Sequence, residues 1–252
     1  MLYDAHVHLA DREYEGYIGH VIASLYAMKI TACAVAVDIE TTQRGLRLFS
    51  DHRKIVRQFA GIHPEFAAME DLDAFLAIAK GNENIDGIGE IGLDGTYETE
   101  RDVSYEKQKH VFHAMLALAE VEGKPVSIHS RRALDDILAI LPSYRLKGAL
   151  LHWFAGSKKQ LAKAMDMGLY ASYGPALVYA DDKKVLLKNT RKDRFLVETD
   201  GPVTYSRCFE GRPALPTSFL ASVVWAAAAT LGVPYDEAAR TLEENSRSFL
   251  GS

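Results

Sequence analysis

Aliphatic and β-branched runs of strand length recur along the chain, and between them lie stretches whose apolar positions follow a helical period. The runs read LYDAHVHL, ACAVAVD, VRQFAGIH, IDGIGEIGLD, KPVSIHS, KGALLHWF, GLYASYGPAL and RFLVETDG. Strands alternating with amphipathic helices predict a parallel sheet covered by helices. The segment from Ser104 to Glu122 shows the helical pattern clearly: Phe112, Met115, Leu116 and Ala119 fall on one face, and Gly123 with Pro125 end it. After Leu215 the chain reads as two helices broken at GVPYDE, where Pro234 and Asp236 suit a helix start. The alternation predicts an α/β fold closed into a (β/α)8 barrel of the TIM type, with residues 1–252 as one domain. An open doubly wound sheet fits less well, because GEIGLDG has glycines but not the GxGxxG spacing of a dinucleotide loop.

In such a barrel the reactive groups sit where strands run into the loops that follow them. Those positions hold His6 and His8, His63, Glu90, His129, His152 and Asp200, each a polar residue in apolar surroundings. Side chains alternate along a strand, so His6 and His8 share a face, Glu90 lies with Ile88, Gly92 and Asp94, and His152 lies with Leu150. Imidazoles and carboxylates gathered on one rim are the donor set of a divalent cation. A single strand histidine is more often a hydrogen-bonded core residue than a ligand. Recurrence at successive strand ends is what carries the metal reading. By contrast His20, His52, His110 and His113 fall in polar helical segments and are expected on the surface.

Composition narrows the setting. A chain of 252 residues, 48% hydrophobic and 25% charged, is of the ordinary globular class, and its length alone suits either two domains or one barrel. Its two cysteines, Cys33 in an apolar run and Cys208 in a loop, imply neither a disulfide framework nor a thiolate metal site. The sequence opens without a basic and apolar leader, and the longest apolar run, Phe219–Val233, is too short to span a bilayer. The expectation is a cytoplasmic protein with no membrane partner. A formal charge of −5 gives no general attraction for nucleic acid, so a phosphate-bearing substrate must be met by local basic groups or by metal ions. Arg131 and Arg132 stand just after His129, and a guanidinium there pairs with phosphate oxygens in a two-pronged geometry; Arg131 is the candidate substrate contact.

The ordered motifs HxH, GIHP, GEIGLD, IHSR, LHWFAG and ETDGP, with EENSRSFLG near the end, resemble those of the TatD family of metal-dependent hydrolases, within the amidohydrolase-like barrel enzymes. The resemblance covers nearly the whole chain. It implies a barrel with a divalent metal centre at the C-terminal rim of its strands, and nuclease activity on DNA. His6, His8 and Asp200 are implied as ligands of one ion, with Glu90 bridging to a second ion that His129 and His152 also bind. The two ions would be zinc, manganese, magnesium or nickel. His63 is implied as a mouth residue in contact with substrate or water. Asp4 and Glu198 share faces with His6 and Asp200 by strand parity, which suggests partners that orient ligands. The chain departs from the family pattern at GTYETE, where Tyr97 alone replaces aromatics expected to stack on bases, at HWFAG in place of HCFSG, and at DGPVTYS in place of DAPY. These changes border the substrate and leave the ligands intact.

The reaction expected is attack of a metal-activated water on a phosphodiester of DNA or a similar substrate, with Asp200 accepting the proton of that water and Glu90 holding the centre together. The same centre also suits a carboxylic ester, amide or lactone, and an aminoacyl-tRNA ester lies between the two classes. Related barrels that cleave carboxyl bonds often carry a carboxylated lysine on the fourth strand, where this chain has Glu90. A non-catalytic barrel fits least, since structural zinc sites close with four ligands and favour cysteine. Oligomeric state is not written in these patterns.

Overall fold

Each apolar run forms one strand: β1 (Leu2–Val7), β2 (Ile30–Val35), β3 (Val56–Ala60), β4 (Gly87–Gly92), β5 (Val126–His129), β6 (Ala149–Leu151), β7 (Tyr170–Tyr173) and β8 (Phe195–Val197). The computed structural model describes residues 1–205, 207–208 and 215–251, and of residues 216–218 only the backbone. Ser206 of DGPVTYS and Ser252 lie outside the described residues. Strand order is β1 through β8 in sequence, with every paired neighbour parallel. Helices α1 (Ile18–Met28), α2 (Ile39–Leu48), α3 (Leu72–Ala79), α4 (Tyr97–Glu100), α5 (Tyr105–Glu122), α6 (Leu134–Ile140), α7 (Lys158–Asp166), α8 (Asp181–Asn189), α9 (Pro216–Leu231) and α10 (Tyr235–Leu250) fill the connections and the tail. The (β/α)8 barrel expected from the pattern is the observed fold. α5 starts at an Ser104 cap and stops at Gly123, whose φ of 60° suits a residue without a Cβ. Among the described residues no single helix is long and apolar enough to cross a membrane.

Two apolar clusters divide along the pleat. The larger lies between sheet and helices and takes Val7, Ile88, Ile91, Val126, Ile128, Leu151 and Val197. The smaller lies inside the barrel and takes Ala5, Cys33, Val35, Phe59, Leu150, Tyr170, Leu196 and Phe249. Phe249 comes from the last turn of α10, its ring 6.1 Å from Phe59 and 5.4 Å from Tyr170. Tyr170 opens β7 and its hydroxyl donates to Ser248 Oγ at 3.0 Å, so the C-terminal helix stoppers the end of the barrel opposite the strand termini. His20, His110 and His113 are exposed as expected, whereas His52 is half-buried against Tyr26. Cys33 and Cys208 are both buried and free.

Strict alternation fails at two strands. Between Asp4 and Val7 on β1, and between Ile88 and Ile91 on β4, three residues span what two span on the neighbour. Ile88 and Ile91 accordingly both face the helices although they are three positions apart, an odd step that strict alternation would put on opposite faces. Bulges of this kind re-aim side chains next to active sites. Glu90 therefore does not share a face with Ile88, nor Asp4 with His6, as plain alternation predicts.

The seam where β8 meets β1 is closed by few backbone bonds. Asp200 N donates to His6 O at 2.9 Å and His8 N donates to Gly201 O at 2.8 Å. Before both of these along the two strands the Asp4 carboxylate takes the place of a ladder carbonyl, accepting from Thr199 N at 2.9 Å and from the Thr199 hydroxyl at 2.5 Å. Asp4 therefore holds the chain beside Asp200 rather than a histidine ring.

The stopper gives a direct test. Phe249→Ala removes a fully enclosed ring, and the expected loss is about 3–5 kcal/mol of unfolding free energy by urea titration. Metal content of the folded variant should match the unaltered protein, since the cavity so made lies at the far end from the rim.

Candidate metal centre

The polar residues at the strand ends converge. His6 Nε2 and His8 Nε2 are 3.3 Å apart. Glu90 Oε2 lies 3.4 Å from the first and 3.5 Å from the second, and Asp200 Oδ1 lies 3.5 Å and 3.2 Å from the same two atoms. Neighbouring donors that bond one ion at about 2.0–2.1 Å stand at separations of this size, and His6, His8 and Glu90 form such a group with Asp200 beside the two histidines. Asp200 Oδ1 is buried and has no hydrogen bond. A buried carboxylate oxygen without a partner is costly, and a cation among these four atoms removes the cost.

The other oxygen of Glu90 faces a second group. Oε1 stands 2.8 Å from His152 Nε2, 3.0 Å from His129 Nδ1 and 3.5 Å from His63 Nε2. One carboxylate thus reaches both sets of imidazoles, which is how a bridging ligand is built. The set of six donors named from the sequence is brought together, with His63 at its margin. His63 Nδ1 accepts a hydrogen bond from Glu65 N at 3.3 Å. In the neutral ring the proton is then on Nε2, so His63 presents a donor to Glu90 and is the poorest ligand of the group.

Outer partners fix the rings. His6 Nδ1 pairs with Ser127 Oγ at 2.8 Å, and His129 Nε2 pairs with Asp94 Oδ2 at 2.8 Å. Asp94 is itself held by Gln108 and by Thr96, whose backbone N and hydroxyl both donate to Oδ1 at 2.8 Å and 2.7 Å. A carboxylate behind an imidazole leaves the lone pair of the other ring nitrogen aimed at the ion. Ser127 and Asp94 were not assigned roles from the sequence, yet both sit at even spacing from a ligand, Ser127 from His129 and Asp94 from Glu90. Glu198 works through the backbone: it accepts from Trp153 N at 2.8 Å and from Ser172 Oγ at 2.5 Å, and its nearest approach to His152 Nδ1 is 3.9 Å.

The titrations follow from burial and neighbours. Burial pushes His6 down to about 4 and His63 down to about 3, so both rings are neutral near pH 7. For Glu90 burial acts upward, but the charge of His152 and hydrogen bonds from His129 and His152 outweigh it and hold the carboxyl well below its ordinary value. Burial also acts upward on Asp200, where His8 and His6 win and the carboxyl stays ionised. His152 moves up to about 10 because Glu90 overcomes its desolvation. The proton so held lies on the nitrogen facing Glu90, where a cation displaces it.

Above the centre a cavity of about 1060 Å³ opens between the loops. Phe66, Tyr97 and Trp153 supply aromatic surface to its wall. The Tyr97 ring stacks 6.2 Å from His129 and meets His63 edge-on at 5.8 Å. Arg131 lines the cavity too, but its Nη2 donates to both Glu100 oxygens at 2.9 Å and 2.8 Å and its Nε lies 3.8 Å from Asp94.

A family model described as TatD related DNase matches residues 3–251. The chain belongs to this family. As a TatD-family protein it is a metal-dependent hydrolase, and its buried histidines, glutamate and aspartate are of the kind that bind metal. TatD-family relatives include the uncharacterized metal-dependent hydrolase YabD of Bacillus subtilis, 30% identical with 99% of each chain covered. Another is the 3'-5' ssDNA/RNA exonuclease TatD of Pantoea ananatis, 27% identical with 99% of each covered. Among solved structures the TatD homolog YJJV of Escherichia coli superposes with a TM-score of 0.88 at 23% identity, covering 100% of this chain and 98% of its own. That likeness bears on the fold.

Asp94 provides the test of the centre's outer support. Asp94→Asn keeps the shape and removes the charge behind His129, and metal affinity measured by competition with a chelator should fall about 10–100-fold. An unchanged affinity would show that the Asp94 charge gives His129 no support as a ligand.

Proposed function

We propose that the protein is a phosphodiesterase acting on nucleic acid strands with two divalent ions held at the barrel rim, and that its substrate is DNA or a chemically similar phosphodiester. The observation that carries the reading is the division of the Glu90 carboxylate, Oε2 toward His6 and His8 and Oε1 toward His129 and His152. His6, His8 and Asp200 would hold the first ion, His129 and His152 the second, and Glu90 both. The mixed imidazole and carboxylate donors suit zinc at the first position, with manganese, magnesium and nickel as the other ions to assay. When bound, the pair supplies positive charge to the phosphoryl oxygens and makes water acidic enough to attack near neutral pH.

The chain's own groups do the rest. Asp200, whose carboxyl stays ionised, accepts the proton of the attacking water. His63, with its Nε2–H turned inward at the mouth, donates to a substrate oxygen or to water. Tyr97, Phe66 and Trp153 offer faces on which bases stack, a contact open to any sequence. Arg131 borders the substrate's place from above the Tyr97 ring, 5.9 Å from the centroid, with its Nη2 held on Glu100. The name of the Pantoea relative, an exonuclease for single-stranded DNA and RNA, supports the same substrate class.

The cavity wall also carries Asp11, Glu13, Glu65, Asp135 and Asp136. This acidity favours a second reading, hydrolysis of an uncharged carboxylic ester or amide. Metal-loaded protein assayed on a single-stranded oligonucleotide and on a panel of carboxyl esters separates the two. Cleavage of the oligonucleotide is expected, lost with chelator and restored by the ion. Glu90→Ala and Asp200→Ala should each lower turnover about a thousandfold or more while helical circular dichroism persists. Activity retained by both variants removes this mechanism.

A further inference from the structure

Five carboxylates on the cavity wall face two cationic side chains, Arg131 and Arg132. Arginines of the neighbouring loops are already matched: Arg131 with Glu100, Arg101 with Glu65 and Arg12 with Glu40. Among the described residues Arg132 has no ion pair, and it is exposed where it lines the cavity. Its position is fixed by the main chain. The residue has φ 53°, in the left-handed region that side chains other than glycine seldom adopt. Its carbonyl oxygen presses against Gly95, where a Cβ would come within 2.7 Å. The loop after β4 and the loop after β5 thus lock together under Arg132, three residues beyond His129. Strained backbone held in place by packing at a cavity wall is a mark of a functional position.

The geometry points to Arg132 as the anchor for one non-reacting phosphate of the substrate, the neighbour of the phosphodiester being cleaved. This rests on the phosphodiesterase reading and adds which charge selects the strand. A guanidinium with a free fork takes a phosphate in two-pronged fashion, while Arg131 already has its Nη2 on Glu100 and its Nε 3.8 Å from Asp94. A strand laid further along the wall would meet carboxylates, so one phosphate beyond the reacting group is all that the described wall accepts.

The salt dependence of binding counts phosphates. Each phosphate neutralised on a single strand contributes about −0.7 to the slope of log affinity against log salt. Metal-loaded protein is compared with Arg132→Ala and Arg132→Lys, by kcat/KM on oligothymidylate and by fluorescence anisotropy with labelled phosphorothioate oligothymidylate, which resists cleavage, across a potassium chloride series. Arg132→Ala is expected to make the slope shallower by about 0.7 and to raise KM about tenfold with kcat little changed. Arg132→Lys, which keeps the charge, should keep the slope. If the protein cleaves the oligonucleotide and Arg132→Ala leaves the slope as it was, the inference falls and the phosphodiesterase reading stands. If carboxyl esters are cleaved and no phosphodiester is, both fall.

Discussion

The rim depends on a single buried anion with two faces. Glu90 is 3% exposed, with Oε2 beside the two rings that β1 supplies and Oε1 beside rings that follow β3, β5 and β6. A charged carboxylate in such a place is tolerable only with opposite charge close by. The bulge on β4 turns the residue inward, and β1, β3, β5, β6 and β8 supply what faces it. Rigid strands set these positions, and loops set the cavity above. That division lets the wall vary, as at GTYETE and HWFAG, without disturbing the donors.

Charge explains how an acidic chain can handle an anionic substrate. The whole molecule carries −5 and the wall is rich in carboxylates. On the proposed reading attraction is short-ranged and confined to the floor, where divalent ions would reverse the sign. Ion pairs around the mouth, such as Arg131 with Glu100, tie loops together and mute the arginines involved. Their contribution to stability is small where they are exposed. What they decide is which cations remain available.

Most of this could be read from the sequence, for a physical reason. The strand and helix periods are dictated by burial on a two-layer barrel, so the eight runs and α5 showed themselves in the spacing of apolar residues. Ligands were visible because histidine, glutamate and aspartate are rare at the ends of apolar strands. The pleat was less faithful. On β1 and β4 one additional residue breaks alternation, and no residue type announces it, so Asp4 was placed on the face of His6 although it binds Thr199 across the seam. Asp94 and Ser127 look like ordinary polar residues until the partner ring is seen. Pairing of Arg131 with Glu100 depends on how two loops pack, which local sequence does not encode.

The seam between β8 and β1 orders events during synthesis. His6 and His8 leave the ribosome early, while Thr199 and Asp200, which close the first set of donors and latch onto Asp4, leave late. A nascent chain can display imidazoles without the carboxylate that completes their cage. Cation grip and reactivity therefore arrive together with barrel closure, and an unfinished chain is kept chemically quiet by its own topology.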